Sequence, residues 1–313
     1  MSHVNELGYL LSDDEVPQLY KDYAMEYMGE KVVRSDEGEA SDEEAPDFLK
    51  EELAIAAVLG AALAKKSGEF ISDVEDLIQR EDFGRLDDRM RVAQNEMDEI
   101  FTDSVEAKVY RSVSAEMDKG ALLAGYELVF KDTPSREMVL DGMVKSTKYY
   151  TNNYFNSFVV PSLQDAVQKH FLLGEGGPEE FAEIQRMLNM RLKTVPYWRT
   201  VANVAASRSY HYGMLKAGSL GGMRGYRLWN PMDERTSTVC KSLYMKEFWL
   251  ADAVSLIERT AGATDAEEVK QLQPWLSAKQ VEGLSSSELA AKGVMVPPFH
   301  GLCRTTLELI AGY

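Results

Sequence analysis

Apolar residues recur at three- and four-residue steps along much of the chain. Leu86, Met90, Ala93, Met97 and Ile100 form one such stripe, and Val105, Val109, Val113 and Met117 form a second. This spacing places each set on one face of a helix. A break at Gly174–Pro178 (GEGGP) feeds a helix bearing Phe181, Ile184, Leu188 and Leu192 on one side. The next predicted helix runs from Tyr197 to Lys216 with Trp198, Val201 and Ala205 inward, and both are expected to be amphipathic. Asp132, Thr133 and Pro134 mark a helix boundary, because proline suits a first helical turn and Asp or Thr can cap the free amides ahead of it. The longest apolar run, Leu53–Ala64, is about half of the ~20 residues needed to cross a bilayer. It predicts a buried helix ending at Lys65 and Lys66, and no membrane association.

At Gly218 the texture changes. GSLGGMRGYRLWNPMDERT is glycine-rich, then aromatic and β-prone, then turn-forming. A strand is expected at Tyr226–Trp229, a helix from Glu234 to Tyr244, one or two more helices through residue 290, and a last strand near Thr305–Ile310. The expected fold is therefore mainly α, an N-terminal helical region followed by a small C-terminal α+β module. The predicted divisions are an arm over residues 1–48, a helical region over 49–216 and the module over 217–313. Within the arm, SDEGEASDEEAPD (Ser35–Asp47) has almost nothing to bury, which predicts a flexible, solvated segment.

Charge narrows the functions. The chain carries a formal net charge of -17, and residues 1–60 hold 16 acidic against 4 basic residues, so most of the acidity is local. That balance argues against wrapping a phosphate backbone, which needs clustered Lys and Arg, yet a nearly neutral body leaves a transient DNA contact open. Tyr149, Tyr150, Tyr154, Phe155 and Phe158 crowd together, with Lys145 and Lys148 the only basic residues near them. Core packing fits this cluster better than base stacking. Two cysteines are too few for a disulfide framework, and no signal peptide is evident, which predicts synthesis in a reducing cytoplasm. The common catalytic motifs are absent, so no enzyme is expected. A triad assembled from Cys240 or Cys303 with His300 and Asp233 would use residues that most chains can supply. His3, His170 and His211 stand alone and read as ordinary packing histidines.

Two clusters in the last ninety residues hold most of the information. One is Trp229-Asn-Pro-Met-Asp233-Glu-Arg235-Thr236-Ser-Thr-Val-Cys240, and the other is Pro297-Pro298-Phe-His300-Gly-Leu-Cys303-Arg304-Thr305. Read as physical chemistry they predict a lock between distant segments. Asp233 is suited to accept the free amides of a first helical turn, with Thr236 sharing that work. Arg304 or Arg235 would pair with Asp233 across the two segments, bidentately where geometry allows. Pro297 and Pro298 would fix an extended approach that returns the last strand beside Tyr226–Trp229.

As an ordered set, these clusters resemble the head morphogenesis family of tailed phages, the minor head proteins related to the Mu F protein. That family carries a helix, a strand ending in an aromatic, an Asp, an Arg-Thr-Cys-x-x-Cys turn and, after a variable insert, Pro-Pro-x-His-x-x-Cys-Arg-Cys. The resemblance spans roughly residues 196–310, including Arg208 where the family tends to place an Arg-Ser/Thr pair. It departs at Ser237 and Thr305, where the family has cysteines. Only Cys240, His300 and Cys303 then remain as metal ligands, with Asp233 as a conceivable fourth, so the sequence assigns no metal. The alternatives are that both thiols are small buried hydrophobes, or that they form a disulfide, an oxidised version of the lock.

The resemblance implies a structural, non-enzymatic protein without a cofactor. It would associate with the portal protein at the vertex inside the capsid, and aid assembly, packaging or genome ejection. Further partners would be the major capsid or scaffolding protein and sister subunits. The implied location is the virion, with the host cytoplasm during assembly. The alternative is a virion-delivered effector that uses the C-terminal module. Tyr313 follows the motif closely, so no fused effector domain is expected. A third reading, a DNA-contacting ejection factor, fits the charge less well.

Overall fold

The computed structural model describes residues 49–80, 82–96, 101–125, 130–131, 133–154, 195–234, 236–263, 266–301 and 303–311. The acidic arm, the Gly174–Pro178 break, the helix expected around Phe181–Leu192, and Met97, Ile100, Phe155, Phe158, Arg235, His3 and His170 lie outside them. The chain is mainly α with a small antiparallel sheet near its C-terminal end. The helices are α1 (Leu49–Gln79), α2 (Phe83–Glu96), α3 (Asp103–Leu123), α4 (Pro134–Tyr154) and α5 (Val195–Leu220). Then come β1 (Gly225–Trp229), α6 (Thr238–Leu243), β2 (Glu247–Trp249), α7 (Leu250–Ala261), α8 (Ala266–Leu272), α9 (Ala278–Val281), α10 (Ser286–Ala291) and β3 (Thr306–Ile310). Among the described residues, no helix is long and apolar enough to cross a membrane.

Two compact units divide the chain. Among the described residues, one groups 56–108 with 148–154 and 195–198, and the other groups 49–55, 109–147 and 199–311. In the first, Phe70, Val74 and Leu86 are buried. Arg89 lies over the Phe70 ring, 5.4 Å from its centroid, and pairs with Asp73 at 2.8 Å. The Leu53–Ala64 run is helical as expected, with Ile55 and Leu59 buried. The helix does not stop at Lys65 and Lys66, however. It continues to Gln79, because GEFISDVEDLIQ contains no proline and supplies the further buried residues Phe70 and Val74.

In the second unit Val109, Val113 and Met117 face inward as the spacing predicted; Val105, the first residue of that stripe, falls in the first unit and is half-buried. Pro134 opens α4 at the expected boundary. Helix α5 departs from the amphipathic expectation: from Val201 to Gly218 nearly every residue is buried, including Asn203, Ser207, Arg208, Ser209 and His211. Its composition explains this. ANVAAS and GMLKAGS keep the cylinder narrow enough for neighbours to close in on several sides. A Cβ on Gly213 would stand 1.9 Å from Met117 O, and one on Gly120 2.0 Å from Tyr210 O, so α3 and α5 touch backbone to backbone.

Several polar side chains in this packing are tied down. Tyr212 donates its hydroxyl proton to Glu258 Oε1 at 3.1 Å and lies 2.8 Å from Ser135 Oγ, and Lys216 pairs with the same Glu258 oxygen at 2.9 Å. Glu52 accepts from Asn203 Nδ2 at 2.7 Å. Burial raises the Glu52 carboxyl to about 8 against that hydrogen bond, and burial lowers His211 to about 3, so both are neutral near pH 7.

The sheet has the order β2-β1-β3, antiparallel throughout. Tyr226 pairs with Phe248 on one side and Leu309 on the other. The returning strand therefore does lie beside Tyr226–Trp229. The edge strand β2 was not anticipated, since three residues are too short to show alternation. Four helices, not one or two, fill the stretch from Leu250 to Ala291. Two of these, α9 and α10, are short and begin with Ser-led capping boxes, at Ser277 with Gln280 and at Ser285 with Glu288. Helix α5 reaches the sheet at its end, where a Cβ on Gly218 would meet Leu309 Cδ1 at 2.9 Å.

Candidate functional site

The site is built where the turn after β1 meets the segment that leads into β3. Strand β1 ends at Trp229, whose side chain is exposed. Asn230, next in sequence, is buried and works as a two-way connector. Its Nδ2 donates to Cys240 O at 2.6 Å, while its Oδ1 accepts from Thr305 Oγ1 at 2.5 Å. Met232 then takes a left-handed φ of 55°, which turns the chain so that Asp233 faces the returning segment.

Asp233 and Arg304 meet as a bidentate pair, Nη1 to Oδ2 at 2.8 Å and Nη2 to Oδ1 at 2.5 Å. Thr236 Oγ1 also donates to Asp233 Oδ1 at 2.9 Å. Of the two arginines proposed as partners, Arg304 occupies the carboxylate. The capping role predicted for Asp233 falls instead to Ser237, which accepts from Cys240 N at 3.2 Å. The physical reason is competition. With its carboxylate committed to Arg304 and Thr236, Asp233 shapes the turn (Thr236 N to Asp233 O, 3.2 Å), and α6 starts only at Thr238, four residues later than expected.

From the other side, Val294–Phe299 is buried, the Pro297–Pro298 peptide bond is cis, and Tyr226 donates its hydroxyl to Met295 O at 2.8 Å. This brings His300 over the first turn of α6. Its Nε2 lies 2.9 Å from Ser237 Oγ and 3.1 Å from Cys240 Sγ, and its Nδ1 lies 2.6 Å from Gly301 O. Cys303 Sγ is 3.7 Å from Cys240 Sγ, and both thiols are free and buried. Thr305 Oγ1 stands 3.3 Å from each sulfur.

The electrostatics of this knot are asymmetric. The hydrogen bond from Cys303, followed by those of His300, Ser237 and Thr305, brings the Cys240 thiol down to about 4 in spite of its burial. Burial and the neighbouring Cys240 push Cys303 well above its ordinary value, so one proton is retained on that side. Burial would lower His300, but the hydrogen bond and charge of Cys240 outweigh it and raise the imidazole. Cys240 is thus the more acidic of the two cysteines, held between a thiol, an imidazole and two hydroxyls. Such an arrangement can retain a proton, bind a soft cation or, with a substrate at hand, act as a nucleophile.

Of the residues singled out from sequence, Asp233, Thr236, Cys240, His300, Cys303 and Arg304 are brought together, with Pro297 and Pro298 buried just before them. Trp229 sits at the edge with its ring exposed. Three connectors were missed as contributors: Asn230, Ser237 and Thr305. Ser237 had a readable signal, a serine directly ahead of a short helical stretch, but it was noted only as a departure from the family pattern. The chain matches no family model, no curated protein and no solved structure.

Proposed function

We propose that this chain is a structural minor head protein of a tailed phage, bound at the portal vertex inside the capsid, where it aids assembly, packaging or genome ejection. One observation supports the reading above the rest. The residues on which the family resemblance stands are scattered from Trp229 to Arg304 in sequence, yet most of them gather in one polar knot, with Arg304 clamped on Asp233 at its centre. A motif whose parts interlock has a role in folding alone and calls for no chemistry at the surface. The clasped module would serve as a rigid adaptor. Leu122, Leu123 and Met138, exposed on α3 and α4, offer apolar area for portal, capsid, scaffolding or sister-subunit contact.

Co-expression with the portal protein of the same genome tests this. Co-purification of the two without nucleotide turnover, and low-copy presence in purified virions by mass spectrometry, are the expected results. Absence from virions together with failure to hold the portal would sink the reading. The alternative, a virion-delivered effector, draws on the Cys240 sulfur beside His300. It predicts that His300→Ala abolishes an activity in the infected cell while heads still assemble.

A further inference from the structure

Three ligating atoms converge where the two segments of the clasp meet: Cys240 Sγ, His300 Nε2 and Cys303 Sγ all lie within 4.8 Å of one another. The sulfurs are 3.7 Å apart, far beyond the roughly 2.05 Å of a disulfide. Two thiolates each about 2.3 Å from one zinc ion, at the tetrahedral angle, stand about 3.8 Å apart, and a sulfur and an imidazole nitrogen about 3.6 Å. The thiol pair already has that edge length. Nε2, at 3.1 Å from Cys240 Sγ, would move outward by about half an ångström to match it.

A hydrogen-bonded thiol pair alone would also sit at this separation, so the imidazole is what separates the two readings. His300 Nδ1 lies 2.6 Å from Gly301 O, a carbonyl that can only accept, so Nδ1 carries a proton and Nε2 is the nitrogen turned toward the sulfurs. Metal-binding histidines are oriented in just this way, one nitrogen tied to a backbone carbonyl and the other aimed at the ion. An outer layer is present as well. Thr305 Oγ1 stands 3.3 Å from both sulfurs and is itself anchored on Asn230 Oδ1. Asp233, the fourth ligand suggested by sequence, is engaged by Arg304 and Thr236 instead. An oxygen beside the three ligating atoms is Ser237 Oγ, 2.9 Å from Nε2.

We propose that Cys240, Cys303 and His300 bind one soft divalent cation of the zinc class, completed by an oxygen from Ser237 or solvent, and that the ion ties the first turn of α6 to the segment entering β3. Both sulfurs are buried, so the ion would fasten the fold and exchange slowly. The proposal does not depend on the phage reading, since it concerns only residues within this module.

The chain has two cysteines and both are in this cluster, so thiol chemistry reads this site alone. The untagged full-length protein, reduced and stripped with a chelator, is titrated with cobalt(II) and then zinc(II). Expected are one cobalt per chain, a thiolate-to-cobalt charge-transfer band with intense tetrahedral visible bands, and their loss on adding zinc. Zinc should also slow the reaction of the thiols with Ellman's reagent by about tenfold or more. Cys303→Ser should abolish the charge-transfer signature. Should that variant fail to fold, Ser237→Cys gives the opposite readout, because a third sulfur in the same cluster should tighten zinc binding at least about tenfold. A wild-type chain without the cobalt band, whose thiols react or oxidise to a disulfide at the same rate with and without zinc, overturns the proposal.

Discussion

The α3–α5 packing and the Asp233–Arg304 clasp lie in the same compact unit, yet they are held together by opposite means. Between α3 and α5 the contact is apolar and backbone-close, with Gly120 against Tyr210 and Gly213 against Met117. Between the β1–α6 turn and the return segment the contact is polar, made by an ion pair, three connectors and a sulfur–imidazole cluster. The first kind of contact depends on what is missing from a side chain, and the second on what each side chain donates or accepts. Packing of the first kind tolerates no added volume, whereas a polar clasp tolerates changes of shape better than the loss of one partner.

The largest effect should come from filling the helix contact. Gly120→Ala or Gly213→Ala places a methyl within 2.0 Å of a carbonyl oxygen. Each should cost about 4 kcal/mol or more, measured by chemical denaturation, or prevent folding. A loss below about 1 kcal/mol would mean that the two helices do not meet as closely as described.

Next is the buried acid of the helical part. The folded-state value for Glu52 is raised to about 8 from 4.5 by burial. Between those values the native state holds a proton that the unfolded chain has released. Stability therefore falls as pH rises from about 4.5 to about 8 and levels off above, by up to about 5 kcal/mol. Glu52→Gln keeps a partner for Asn203 and removes the titration, so its stability should vary less over this range and exceed wild type at pH 8. Equal slopes for the two proteins would show that Glu52 is not buried beside Asn203.

The clasp should respond more gently. Asp233→Asn leaves the half-buried Arg304 without its bidentate partner and should cost about 1–2 kcal/mol. In a double-mutant cycle with Arg304→Gln the two changes should be strongly non-additive. The Arg227–Glu308 pair has the same bidentate geometry, both contacts at 2.8 Å, but lies across the exposed sheet face. Glu308→Gln should leave the unfolding midpoint unchanged within error. Equal losses at both pairs would erase the contrast between clasp and surface.

Helix positions in the second unit were readable because Val109, Val113 and Met117 repeat at the helical period, and Pro134 marks a start that only proline signals so sharply. The burial of α5 on most sides was not readable, since ANVAAS and SYHYGM have no stripe to follow, and small residues declare an opportunity for close approach without naming the neighbour. At the clasp, the residue types of Asp233, Arg304, Cys240, His300 and Cys303 were legible together with the idea that two segments join. The choice of Ser237 over Asp233 as cap was decided by a partner 71 residues away in sequence.

By itself, the sequence determined the local choices: which stretches favour helix, where glycine and proline interrupt them, and which side chains are able to donate, accept or ligate. Those depend on neighbours a few bonds away, so they can be read along the chain. Only the tertiary structure decided which sulfur faces which imidazole, which arginine reaches Asp233, and which helix face vanishes from solvent. Each of these is a distance between atoms far apart in sequence, set by the packing of the whole unit.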